Sequence, residues 1–218
     1  MKKMTKTEML KLIDVLRAVA PKRPLTYGES LQVARLQAAT LRKLVKAHEA
    51  EMNLIWLLEQ KAVPVHLAPS HELNEESGLT TDLIGGKLQM FVNQNEPPVR
   101  QRFTLLHEFK HVLDFKDAKT LHAKLGTGDE QRKAQQIEWI ANEFAGQALM
   151  PVNLVKKIWF MTQDLALAAS LFNVSREAMQ TRLQRLNLVG GLVERPRGYF
   201  RRSTLISDSD TTPFACMA

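Results

Sequence analysis

The stretch RFTLLHEFKHVLD, residues 102–114, constrains this chain more than any other. Its apolar residues recur every three or four positions, the mark of a helix packed on one side. On such a helix His107 and His111 lie one turn apart on one face, where both imidazoles can reach a single metal ion. Glu108 sits one position round from His107, where its carboxylate can contact a water beside the metal without ligating it. A carboxylate so placed can take a proton from that water and return it to a leaving amine. The competing reading is two histidines with no metal between them, and five residues alone leave both readings open.

A catalytic zinc takes three protein ligands and keeps a fourth position open. The next long helical pattern, EQRKAQQIEWIANEFAGQALM at 130–150, offers a third ligand in Glu138. Ile137, Ile140, Ala141, Phe144, Ala145 and Ala148 form its apolar face, with Glu138 and Asn142 along the border. A glutamate ligand followed four residues later by a hydrogen-bonding side chain is also the arrangement of the thermolysin-like class. There the second residue orients a ligating imidazole. The plain alternative is a solvated charge beside Trp139. Glu143 is a rival ligand, but it falls about 140° from Glu138 around the helix and is expected to face solvent.

Taken together, RFTLLHEFKHVLD and IEWIANEFAGQALMP closely resemble the paired signature of the ImmA/IrrE metallopeptidases. That signature is a phrase like R-F-T-L-A-H-E-L-G-H followed by one like E-x-E-A-N-x-F-A-x-x-L-L-M-P. The resemblance covers at least residues 78–151, where GLTTDLIGGKLQMFVN is similar to the family's hairpin before the active helix, and extends to about 188. It implies Zn2+ held by His107, His111 and Glu138, with Glu108 as catalytic acid and base. It further implies a zinc endopeptidase whose protein substrate is a DNA-binding repressor of helix-turn-helix type. Three positions depart from the pattern. Lys110 stands where glycine is usual, Phe109 replaces leucine, and Ile140 stands where many members carry a second glutamate. A lysine at 110 would crowd the metal side of the helix, lend it charge, or snorkel outward to substrate.

The remaining chain is expected to supply an α+β, mostly helical fold: a zincin-like core with a small antiparallel sheet. The expected divisions are an N-terminal helical region (1–50), the metallopeptidase core (51–160), a helix-turn-helix-like helical subdomain with a basic end (161–202) and a flexible tail (203–218). Helices are expected over 4–19, capped by Thr5 or Thr7, over 29–50, and over 130–150, where Pro151 stops the run. Extended pieces are expected at 62–67, 78–84 and 87–93, the last two forming a hairpin about Gly85 and Gly86. The edge offered by KLQMFVN would let a substrate peptide add as a strand. Residues 115–130 read as loop or short helix.

Helices at 163–172 and 175–187, with Ser175 capping the second, resemble a helix-turn-helix. From residue 176 to 202 there are seven arginines (Arg176, Arg182, Arg185, Arg195, Arg197, Arg201, Arg202) against Glu177 and Glu194, in a chain of net charge +7. In a DNA reader Arg176, Gln180, Gln184 and Arg182 would enter a groove. Arg176, Arg182 and Arg185 are the candidate contacts to nucleic acid or a partner. A structural or protein-binding use is favoured over DNA, since this helix pair is common outside DNA binding. The alternative function is a transcription or stress regulator acting by DNA or protein binding, with a weakly active or structural zinc site.

The other histidines (His48, His66, His71, His122) read as surface or structural groups, with His66 and His71 near enough to an early strand to reach a cleft. Arg100 and Arg102 read as anchors of the histidine helix, and Trp56, Trp139 and Trp159 as core. A single cysteine, Cys216, excludes an intramolecular disulfide and a four-cysteine zinc site, which fits a reducing cytoplasm. Glu8, Lys11 and Asp14 interrupt any apolar signal core, and no run approaches the roughly 20 apolar residues of a membrane span. A cytoplasmic protein without membrane contact is the expectation.

Overall fold

The computed structural model describes residues 3–83 and 87–190. The turn expected at Gly85 and Gly86, the arginines beyond 190, Cys216 and the 203–218 tail lie outside the described residues.

Two helices open the chain, each fixed by a reciprocal cap. Helix α1 (Lys6–Arg17) starts at Thr5, whose hydroxyl accepts from the Glu8 amide at 3.2 Å, while the Glu8 carboxylate accepts from the Thr5 amide at 2.7 Å. Of the two threonines proposed, Thr5 is the cap. Helix α2 (Tyr27–Leu44) repeats the device with Thr26 and Glu29. Both are S/T-x-x-E capping boxes, which satisfy amides that a helix start leaves open. Helix α2 ends earlier than expected because Lys46 takes a left-handed φ of 54°.

A single turn, α3 (Ile55–Leu58), precedes three strands: β1 (Val65–Ala68), β2 (Gly78–Leu83) and β3 (Lys87–Asn93). The hairpin β2–β3 is antiparallel as expected, with Thr80 opposite Met90. β1 then pairs with the far side of β3 in parallel, Val65 opposite Met90, so the sheet order is β1-β3-β2 and the sheet is mixed. This corrects the edge assigned to KLQMFVN. β3 is the central strand with both sides paired, and among the described residues the outer strands are β1 and β2.

Helix α4 (Pro98–Asp114) carries HEFKH and packs on both β2 and β3. Pro98 at its first turn costs no hydrogen bond, because that amide would lack a partner anyway. Short 3-10 turns at Phe115–Asp117 and Gly126–Gly128 flank α5 (Ala118–Leu121) and lead to α6 (Glu130–Leu149), which lies against α2 and α4. Pro151 stops the run as expected, with α6 ending at Leu149. It opens α7 (Val152–Thr162), followed by α8 (Leu165–Phe172) and α9 (Arg176–Arg185), the last capped by Ser175. One apolar cluster joins residues from Met9 and Leu41 through Trp56, Met90, Phe109 and Phe144 to Phe172 and Leu183. Each set of helices therefore buries its apolar stripe against α4, α6 or their neighbours.

Candidate metal centre

His107 and His111 project from the middle of α4, where the helix is covered by the sheet on one side and α6 on another. Both imidazoles are buried, at 4% exposure each. Their Nε2 atoms approach within 3.1 Å, the geometry expected of an i, i+4 pair aimed at one point. From α6, Glu138 brings Oε2 to 3.1 Å of His107 Nε2 and Oε1 to 3.6 Å of His111 Nε2. Asn142, one turn further along α6, places Oδ1 2.8 Å from His107 Nδ1 and so fixes the orientation of that ring. The structure thus assembles four of the residues singled out from sequence at a single point.

The donor set suits a divalent cation. Tetrahedral zinc with bonds of about 2.0–2.1 Å has ligand atoms roughly 3.3–3.4 Å apart, and the three separations here bracket that value. His107, His111 and Glu138 are the metal-capable cluster found among the described residues. Electrostatics agree. Burial pushes the His107 imidazole down, yet the bond to Glu138 and the charges of Glu108 and Glu138 outweigh it and hold its pKa above the usual value. His111 is pushed down to about 4 by burial and by the neighbouring His107. Burial and mutual repulsion disfavour positive charge on both rings at once, while the carboxylates around them draw positive charge.

Glu108 is buried at 1% exposure and its Oε2 accepts from the Thr80 hydroxyl at 2.7 Å. The same hydroxyl lies 3.2 Å from the Glu108 carbonyl oxygen. Two residues earlier on β2, a Cβ at Gly78 would stand 2.5 Å from Thr104 Cγ2 and 3.1 Å from Glu108 Cγ. Glycine is what lets this strand approach α4 closely enough for Thr80 to reach the carboxylate. Sequence reasoning did not find Thr80 or Gly78. Their signal is slight: a glycine and a threonine at i and i+2, on one face of a strand.

Other expectations change. Glu143 does not face solvent. It is buried at 7% exposure, with Arg35 Nε of α2 at 2.8 Å and Arg182 and Arg185 of α9 at 3.7 and 3.8 Å. Arg182 is correspondingly buried, its Nε donating to the Met150 carbonyl at 3.0 Å and its Nη2 to Gln147. It is not offered to a nucleic acid, whereas Arg176 and Arg185 are exposed. Lys110 neither crowds the cluster nor snorkels outward. It is buried and bonded to Asp114, whose other oxygen lies 3.3 Å from His122 Nε2. Arg100 and Arg102 are anchors: Arg100 donates to Glu96 and Ser77, and Arg102 to the Met52 and Asn173 carbonyls. His66 is exposed and stacks on Phe91, and His48 and His71 are exposed. Trp56 is fully buried against Phe109, while Trp139 packs on Tyr27 at the surface.

Two helices that converge a His-Glu-x-x-His pair and a glutamate on one point define the class: a metal-capable centre with a carboxylate beside it. The chain belongs to the M78 peptidase family, matching the model of the IrrE N-terminal-like domain over residues 59–184, more than half its length. A comparison with curated proteins found no match. Among solved structures, a Mycobacterium tuberculosis transcriptional regulator is similar with a TM-score of 0.43 at 15% identity, over 85% of this chain and 49% of that one. The chain thus spans about half the length of that regulator. No helix among the described residues is long and apolar enough to cross a membrane.

Proposed function

We propose that this protein is a zinc-dependent endopeptidase of the ImmA/IrrE type that cleaves a DNA-binding repressor. The observation that carries the reading is the convergence of His107, His111 and Glu138 with the buried carboxylate of Glu108 alongside. His107, His111 and Glu138 would hold the zinc, and Asn142 sets the ring of His107. When bound, zinc would supply the Lewis acidity that activates a water and polarises the scissile carbonyl. Glu108 takes the proton of the attacking water and passes it to the leaving amine nitrogen. Thr80 holds one oxygen of Glu108, leaving the carboxylate a fixed orientation. Membership of a peptidase family supports a protein substrate. The inward use of Arg182 supports a structural rather than a DNA-reading role for α9.

Elemental analysis and proteolysis test this reading. The purified protein should carry about one zinc per chain, as a single three-ligand set implies. His107→Ala, His111→Ala and Glu138→Ala should each lose most of it. Glu108→Gln should keep zinc and fold but lose cleavage of its helix-turn-helix repressor substrate. Regulation that survives Glu108→Gln intact would favour the binding-regulator reading instead.

A further inference from the structure

One cavity belongs to none of the chemistry above. It lies between the start of α4, the second half of α6 and α9, and measures about 280 Å3. That is near the small end of ordinary ligand pockets, which hold roughly 300–1,000 Å3. Val99, Phe103, Gly146, Met150, Val174 and Ala178 make most of its wall apolar. None of His107, Glu108, His111 and Glu138 lines it. Asn142 does, so one side chain separates the cavity from the His107 ring.

Two observations mark it as a place for a ligand. The first is Gly146. Glycine inside a helix is unfavourable relative to alanine unless a left-handed φ or a close approach demands it. Gly146 is buried in α6 and its φ lies outside the left-handed region, yet a Cβ built there would meet nothing within 4 Å. The bare backbone faces open space, and that space is the cavity. The second observation is charge. Glu143 in the wall is one carboxylate among three guanidinium groups, with Arg35 at 2.8 Å, Arg182 at 3.7 Å and Arg185 at 3.8 Å. Arg182 directs its N–H groups to Met150 and Gln147. Arg185 keeps 40% of its side chain exposed, and its guanidinium makes no hydrogen bond among the described residues. The other acid of the wall, Glu177, is bonded to Ser175 and has Arg176 beside it, while Arg100 is held by Glu96. Positive charge is therefore in excess at the Arg185 end.

We propose that this cavity binds a small molecule with an apolar body and one anionic head group, a carboxylate or a phosphate. The body would lie against Phe103, Met150 and the bare backbone at Gly146. The head would accept from the Arg185 guanidinium, a planar donor suited to either anion. An apolar wall with a few polar groups gathered at one end is the usual form of a small-molecule site. The site does not rest on the peptidase reading.

Isothermal titration calorimetry on the full chain tests it, with 4-phenylbutyrate and 2-phenylethyl phosphate as probes. At least one should bind saturably, and the tighter of the two names the head group. Arg185→Gln should weaken that binding roughly tenfold or more, the worth of one charge-assisted hydrogen bond. The neutral 4-phenylbutanamide should bind the wild type correspondingly more weakly than the butyrate. Gly146→Leu should fill the cavity and abolish binding without lowering the unfolding temperature, and Gly146→Ala should fold equally well. Binding should persist after divalent metal is stripped with EDTA. Several results would overturn the proposal: no saturable binding of either probe, unchanged affinity in Arg185→Gln, equal binding of the amide, or full binding by a folded Gly146→Leu protein. Loss of binding after EDTA treatment would place the anion on a metal and overturn it as well.

Discussion

Asp114 shows how one residue holds a helix of mixed duties together. Burial pushes its carboxyl up, but the charge of Lys110 and bonds from His122 and Lys110 pull it down to about 2. Removing one member of a buried ion pair leaves the other charge without compensation, at about 3–5 kcal/mol. Asp114→Asn should therefore destabilise the protein by about that much in urea denaturation at neutral pH. The sign with pH follows from the lowered value. A group whose folded pKa lies below its unfolded value contributes fully above the unfolded value, near 4 for aspartate. That contribution is lost as pH falls from about 4 toward 2. The gap in stability between wild type and Asp114→Asn should be constant from pH 7 to 5 and narrow below pH 4. A gap that widens in acid would show that Asp114 is not the partner of Lys110.

Among the elements, β2 approaches α4 closely beside the candidate centre, at Gly78. Gly78→Ala would push a methyl group to 2.5 Å from Thr104 Cγ2 and 2.9 Å from the Phe91 carbonyl oxygen. Overpacking of this kind costs about 1–3 kcal/mol, and the strand must back away from the helix to relieve it. The variant should melt lower than wild type, and on the proposed function it should keep metal while peptide cleavage falls, because Thr80 loses its reach to Glu108. Full activity in Gly78→Ala would mean that the strand adjusts without moving Thr80. Pro151 is the counter-lesson at this scale. Its missing N–H and the restriction it puts on Met150 end α6, while its φ of −63° suits the start of α7, so a proline after a helical run marks a boundary at which a new helix can begin.

For the molecule as a whole, Glu143 is the junction. It faces inward between Arg35 of α2 and Arg182 and Arg185 of α9, so one carboxylate on the helix that carries Glu138 links α6 to an early and a late helix of the described chain. Glu143→Gln should leave Arg182 buried without a countercharge and destabilise by about 3–5 kcal/mol in denaturant. Zinc content should not change, since Glu138 and not Glu143 meets the histidines. Loss of zinc in Glu143→Gln, with the fold intact by circular dichroism, would restore Glu143 as a ligand.

The residues legible in the sequence were those whose geometry is local. His107 and His111 share a face because of helical periodicity, and Thr5 and Ser175 cap because their partners lie three residues on, whereas the Thr26 cap was not foreseen. The place of Glu138 and Asn142 followed from the same periodicity on α6, together with the resemblance that linked the two helices. Tertiary packing decided the rest. Which strand is central, that β1 joins in parallel, and that Thr80 lies under Glu108 depend on contacts across many residues of chain. The direction of Glu143 is the clearest case. Its position on the helical wheel put it opposite the ligand face, and an isolated helix would have sent it to water. The fold has a second helix layer there, and a carboxylate enters such a layer when guanidinium groups from distant elements meet it. Periodicity tells a side chain which way to point, but only the packed molecule supplies what lies in that direction.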